Sequence, residues 1–128
     1  MLRLLLKGGV LMIDSVRLID VSKRLIKETF FEAQNAHNFL FENYRDERSE
    51  LISGILLNNA ISTYGSLKAF YYSNLDVLED SRVETLLYKF EVFRNEFLNN
   101  ISSGHSHQWT DIEFEAFKTA VIDLLGDI

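Results

Sequence analysis

The sequence contains no cysteine and no proline. Without cysteine there is no disulfide, no thiolate zinc site and no cysteine nucleophile, and a reducing, cytoplasmic setting is expected. Proline marks loops, turns and edge strands, so its absence favours long uninterrupted helices joined by short connections. No apolar run is long enough to span a bilayer. There is no run of lysine and arginine either: 13 basic residues face 19 acidic ones, giving a net charge of −6. Such a chain releases no counterions from a phosphate backbone, so nucleic acid and membrane partners are not expected. The sequence also lacks a glycine-rich phosphate loop, a nucleophile elbow and the Glu-x-x-His pairs of di-iron bundles, and no cofactor is expected.

What is present is apolar and aromatic. Of 128 residues, 47% are hydrophobic and ten are phenylalanine, which excludes a disordered chain and suits one domain with a sizeable core. The opening stretch, Met1–Leu11, shows no helical face. Its apolar run is too short for a signal peptide and Lys7 interrupts it. Lys7-Gly8-Gly9 can be encoded by AAAGGAGG, a bacterial ribosome-binding sequence, at the usual distance before the Met12 codon. Translation is therefore expected to start at Met12. Residues 1–11 are then a non-native or disordered extension, and 12–128 a single helical-bundle domain.

Four amphipathic stretches follow. The first is expected to open at Asp14 or Ser15, with Leu18, Val21, Leu25, Ile26, Phe30, Ala33, His37, Leu40 and Tyr44 stepping by threes and fours. A polar turn at 43–47 leads to the second, striped by Ile52, Leu56, Ala60, Tyr64, Leu67 and Tyr71. Gly54 and Gly65 lie inside it, where glycine usually permits close helix approach or a bend. Residues 73–80 form the second connection. Ser81 and Glu84 make a capping box for the third helix, whose stripe is Val83, Leu86, Phe90, Phe93 and Phe97, with Gly104 as its stop. Thr110 and Glu113 make a second box, with Trp109 and Phe114 as a hydrophobic staple. Phe114, Phe117, Val121, Leu124 and Ile128 continue it. The expected fold is all-α: a four-helix bundle with short loops.

Several residues are candidates for chemistry. His105-Ser106-His107, with Asp111 and Glu113, offers nitrogen and oxygen ligands for one metal, or is a solvated loop. His37 lies on an apolar stripe and reads as a hydrogen-bonded core histidine. Asn58-Asn59 and Asn99-Asn100 read as the wet flanks of their helices rather than as buried register-setting amides. Arg94 flanks the stripe of the third helix, and a partly buried arginine needs a partner. Glu91, one turn back, is the structural choice.

Arg94-Asn95 also carries a family likeness. From Asn58 on, the chain resembles the HEPN domains of prokaryotic defence and toxin systems, which are helical bundles and usually dimers. Their ribonuclease members carry Arg, often followed by Asn, Asp or His, and then a His after a short spacer. The resemblance implies that Arg94 is the motif arginine, Asn95 the polar residue after it, and that the histidine falls at 99, 100 or 101. Asn99, Asn100 and Ile101 stand there instead, and the next histidine is His105. Without the histidine, acid–base catalysis of RNA cleavage has no evident occupant.

Three functions follow as expectations. One is a non-enzymatic acidic bundle acting through protein contacts as an inhibitor, antitoxin, immunity or adaptor protein. Another is a HEPN-like ribonuclease using Arg94, Asn95 and His105, or its non-catalytic relative. The third is a metal-binding bundle using His105 and His107. Phe31, Phe39 and Phe41 lie off the first helix's stripe and suggest a homodimer interface.

Overall fold

The structure is a computed structural model that describes residues 2–42, 47–104 and 107–126, with side chains from Asp14 and none at 42. It is all-helical, with no strand among the described residues. Four long helices, α1 (Leu2–Glu42), α2 (Glu47–Ser73), α4 (Ser81–Ser103) and α5 (His107–Leu125), are accompanied by α3 (Leu75–Leu78), four residues within the second connection. The α1 and α2 helices pack along one another, as do α4 and α5, and contacts of α1 with α5 and of α2 with α4 join the two pairs.

All four long helices bury one stripe in a common core. Ile26, Phe30, Ala33, Ala36 and Leu40 enter from α1, and Leu57, Ala60, Tyr64, Leu67 and Tyr71 from α2. Val83, Leu86, Phe90, Phe93 and Phe97 come from α4, and Phe114, Phe117 and Val121 from α5. Phenylalanine rings fill the centre. Phe93 lies with its ring centroid 5.5 Å from Phe114, 5.7 Å from Phe97 and 6.4 Å from Phe117, and Phe30 of α1 is 6.0 Å from Phe114. These distances suit offset and edge contacts, which add to the hydrophobic stabilisation of the buried area.

The helix ends differ from the sequence expectations. The α1 helix runs from Leu2, so Asp14 and Ser15 lie inside it rather than capping it. The cap of α4 is Asp80, one residue before the expected Ser81: its carboxylate accepts from the Arg82 backbone N–H at 2.9 Å and from the Arg82 guanidinium at 2.8 Å. A carboxylate that accepts both is a stronger cap than a hydroxyl. The α5 helix begins at His107, so Trp109 and Thr110 belong to its first turn and neither capping box nor staple forms as expected. Thr110 is buried and accepts a hydrogen bond from Asn100 Nδ2 at 3.2 Å. Asn100 is therefore a core amide that ties α4 to α5, not a wet flank, whereas Asn58, Asn59 and Asn99 are exposed. Gly104 ends α4 in the left-handed conformation, φ 67°, donating its N–H to the Asn100 carbonyl at 3.1 Å. Tyr44 and Ile128, placed on stripes by their spacing, lie outside the described residues.

The two glycines of α2 do not serve close packing. A methyl group added at Gly54 or Gly65 would meet nothing within 4 Å. Gly65→Ala should therefore stabilise the protein by about 0.5–1 kcal/mol through helix propensity alone, read by chemical denaturation. Phe93→Ala should cost about 3–5 kcal/mol through the cavity it leaves. A Phe93→Ala loss as small as the gain at Gly65 would show that the ring cluster does not organise the core.

Candidate functional site

Arg94 sits on α4 at the junction with α2. Its guanidinium lies 4.0 Å from Glu91 Oε1, one turn back, and its Nε donates to Asn95 Oδ1 at 3.3 Å. Glu91 is the hub of this cluster. Its other oxygen accepts the hydroxyl proton of Tyr64, which rises from α2, and Lys68 Nζ of α2 lies 3.6 Å away. The hydrogen bond from Tyr64 holds the Glu91 carboxyl below the usual carboxylate range; the charges of Lys68 and Arg94 add to this, against the opposing effect of burial. Burial, followed by the bond to Glu91, pushes the Tyr64 hydroxyl well above its ordinary value. Neither group exchanges a proton near neutrality, as a general acid or base must. The cluster clamps α2 to α4. His105, the remaining member of the expected ribonuclease set, lies outside the described residues.

His37 reaches from α1 to α5. Its ring stacks on Phe114 at 4.4 Å and 9°, with Phe41 at 4.9 Å, and its Nε2 lies 2.7 Å from Asp111 Oδ1. Nδ1 is buried without a partner. The tautomer with its proton on Nε2 donates to Asp111 and leaves only a lone pair unsatisfied; the opposite choice strands a buried N–H. Asp111, proposed above as a metal ligand, is thus engaged with His37. His107 stands at the start of α5 with its ring 5.6 Å from Phe41, and among the described residues no group of three or more His, Asp or Glu is placed to hold a metal.

The three off-stripe phenylalanines do not share one environment. Phe31 is 46% exposed, with its ring edge-on to Phe30. Phe39 is half-buried, and Phe41 is packed against the core beside His37.

An open apolar surface lies elsewhere, where the N-terminal half of α2 runs beside the C-terminal end of α4. Leu51 and Ile55 of α2 are 66% and 56% exposed, and Leu98 of α4 is 46% exposed. With Ile101, Gly54, Asn58, Glu47 and Glu50 they line a groove of about 640 Å³. Sequence reasoning missed this site. Its signal is Leu51 and Ile55, an apolar pair four residues apart that lies off the α2 stripe.

No family model matches the chain, and neither does any curated protein or solved structure. No helix among the described residues is long and apolar enough to cross a membrane.

The clamp can be tested by pH. Glu91 has a lowered folded pKa, so its contribution is present above about 4.5, the ordinary value, and fades as the pH falls below that. Tyr64 has a raised folded pKa, so its contribution is present below 10.0 and fades as the pH rises above it. Tyr64→Phe should cost about 1–2 kcal/mol at neutral pH, for one partly screened bond to a charged acceptor. Denaturation curves of the two proteins should converge at both extremes. A constant difference from acid to alkaline pH would exclude the hydrogen bond as the cause.

Proposed function

We propose that this is a four-helix bundle, with α3 part of a connection, that works by binding another protein rather than by catalysis. It would act as an inhibitor, antitoxin, immunity or adaptor protein does. The exposed aliphatic groove at Leu51, Ile55 and Leu98 carries this reading. Large apolar side chains clustered in the open cost solubility unless a partner covers them. Two further features support it. Arg94, the arginine of the HEPN resemblance, is engaged with Glu91 and Asn95 on its own helix, and Glu91 in turn holds α2 against α4 through Tyr64. The net charge of −6 repels the phosphates of an RNA substrate.

Affinity capture from the native host should recover a protein with the wild-type chain and not with an Ile55→Gln/Leu98→Gln double variant of equal helicity. Recovery of the same proteins by both would remove the groove from the function. The purified chain should cleave RNA no faster than background. Cleavage that disappears in Arg94→Ala would overturn the binding reading in favour of a HEPN-like ribonuclease.

A further inference from the structure

We propose that a cavity at the corner of α1, α3 and α4 binds a small aliphatic α-amino acid in its zwitterionic form. It lies at the start of α4, the opposite end of that helix from the groove, and is independent of the protein-binding function above. The cavity measures about 270 Å³. That is just below the roughly 300–1,000 Å³ of pockets for drug-sized ligands, and spaces between bundle helices commonly hold such sites. Ile19 and Ile26 of α1, Val77 and Leu78 of α3, Val83 of α4 and Leu124 of α5 form its apolar wall. These side chains are all aliphatic, which suits a branched hydrocarbon better than a planar ring that needs an aromatic face to stack on.

The polar part of the wall points to a ligand. Ser22 lines the cavity and is only 6% exposed. A hydroxyl inside a helix commonly donates to the carbonyl one turn back. Thr29 does so to Leu25 at 2.7 Å, and Ser102 to Leu98 at 2.8 Å. The Ser22 hydroxyl makes no hydrogen bond to any of the described residues. A nearly buried hydroxyl without a protein partner is costly unless something in the cavity bonds to it.

The charges around Ser22 define what that something carries. Asp80 and Arg82 line the cavity but are occupied with one another, at 3.1 Å through Nε and 2.8 Å through the terminal nitrogen. Lys23 and Glu79 also line it, and neither has an ion pair among the described residues. They come from different elements, Lys23 from α1 and Glu79 from the turn between α3 and α4. A carboxylate can accept from Lys23 and Ser22, which are adjacent on α1, while an ammonium donates to Glu79. A ligand with a single charge answers only one of the two. The zwitterion answers both, and its aliphatic side chain covers the apolar wall.

Calorimetric titration of the full chain with L-leucine tests this, at the millimolar concentrations that a ligand of so few atoms requires. L-Leucine should bind about tenfold more tightly than isocaproate, which lacks the ammonium, or isoamylamine, which lacks the carboxylate. Glu79→Gln should bring leucine down to the affinity of isocaproate, and Lys23→Gln down to that of isoamylamine. Both positions are exposed, so both variants should keep their fold. Ser22→Ala should weaken leucine about fivefold. It should not lower the melting temperature of the free chain, because alanine is the better helix former. On adding leucine, backbone amide shifts should fall at Ser22, Val77 and Val83. The proposal is overturned if leucine gives no binding heat, if isocaproate binds as tightly, or if Lys23→Gln and Glu79→Gln leave leucine binding unchanged. Amide shifts at Leu51 and Leu98 in place of Ser22 would also overturn it, by putting the ligand in the groove.

Discussion

The contact on which the rest of this structure depends is made by the ring of Phe93. It lies within ring-contact distance of Phe90 and Phe97 on its own helix, Phe114 and Phe117 on α5, and His37 on α1. Three helices thus meet at one side chain, and Tyr64 of α2 joins by stacking on Phe90 at 4.4 Å. Aromatic rings are large and nearly rigid, so such a cluster fixes the spacing of all four helices at once. Small residues of the same core, Ala33, Ala36 and Ala60, are fully buried.

Around this apolar centre the polar groups join helix to helix. His37 with Asp111 links α1 to α5, Thr63 with Glu32 links α2 to α1, Tyr64 with Glu91 links α2 to α4, and Asn100 with Thr110 links α4 to α5. Hydrogen bonds of this kind add modest net stability but make alternative packings costly, because a shifted helix would bury the same groups without partners. They explain why residues with catalytic potential, Glu91 and His37 among them, are engaged in holding the framework together. The groove that stays open is lined by Leu51, Ile55, Leu98 and Ile101.

The sequence was most legible where spacing alone decides. Phe90, Phe93 and Phe97 recur by threes and fours, and no local alternative competes with that period. It was less legible at helix ends, where several residues are suited to the same task. Asp80 and Ser81 are both good caps, and Arg82 favours Asp80 because its guanidinium also needs a carboxylate. Asp14 and Ser15 are cap residues by type, yet nothing upstream breaks the helix there. Asn100 shows position prevailing over residue type: it follows Phe97 by three, on the buried stripe, and an amide there becomes a cross-link once Thr110 faces it. The groove was beyond reach for a different reason. Leu51 and Ile55 are neighbours in sequence, but Leu98 joins them only when α2 and α4 are paired antiparallel.

That pairing is unequal along its length. At one end the Tyr71 hydroxyl accepts the Asp80 backbone N–H at 3.0 Å and donates to the Asp80 carbonyl at 3.2 Å, joining residues only nine positions apart. Short loops close at little entropic cost, so this end of the α2–α4 hairpin is the natural place for it to zip together as the chain folds. The groove lies at the far end, beyond Tyr64 and Glu91. There each wall of the groove is braced from behind by a different neighbour, α2 by α1 and α4 by α5 through Asn100 and Thr110, so the cleft is held as a fixed seam between two helix pairs.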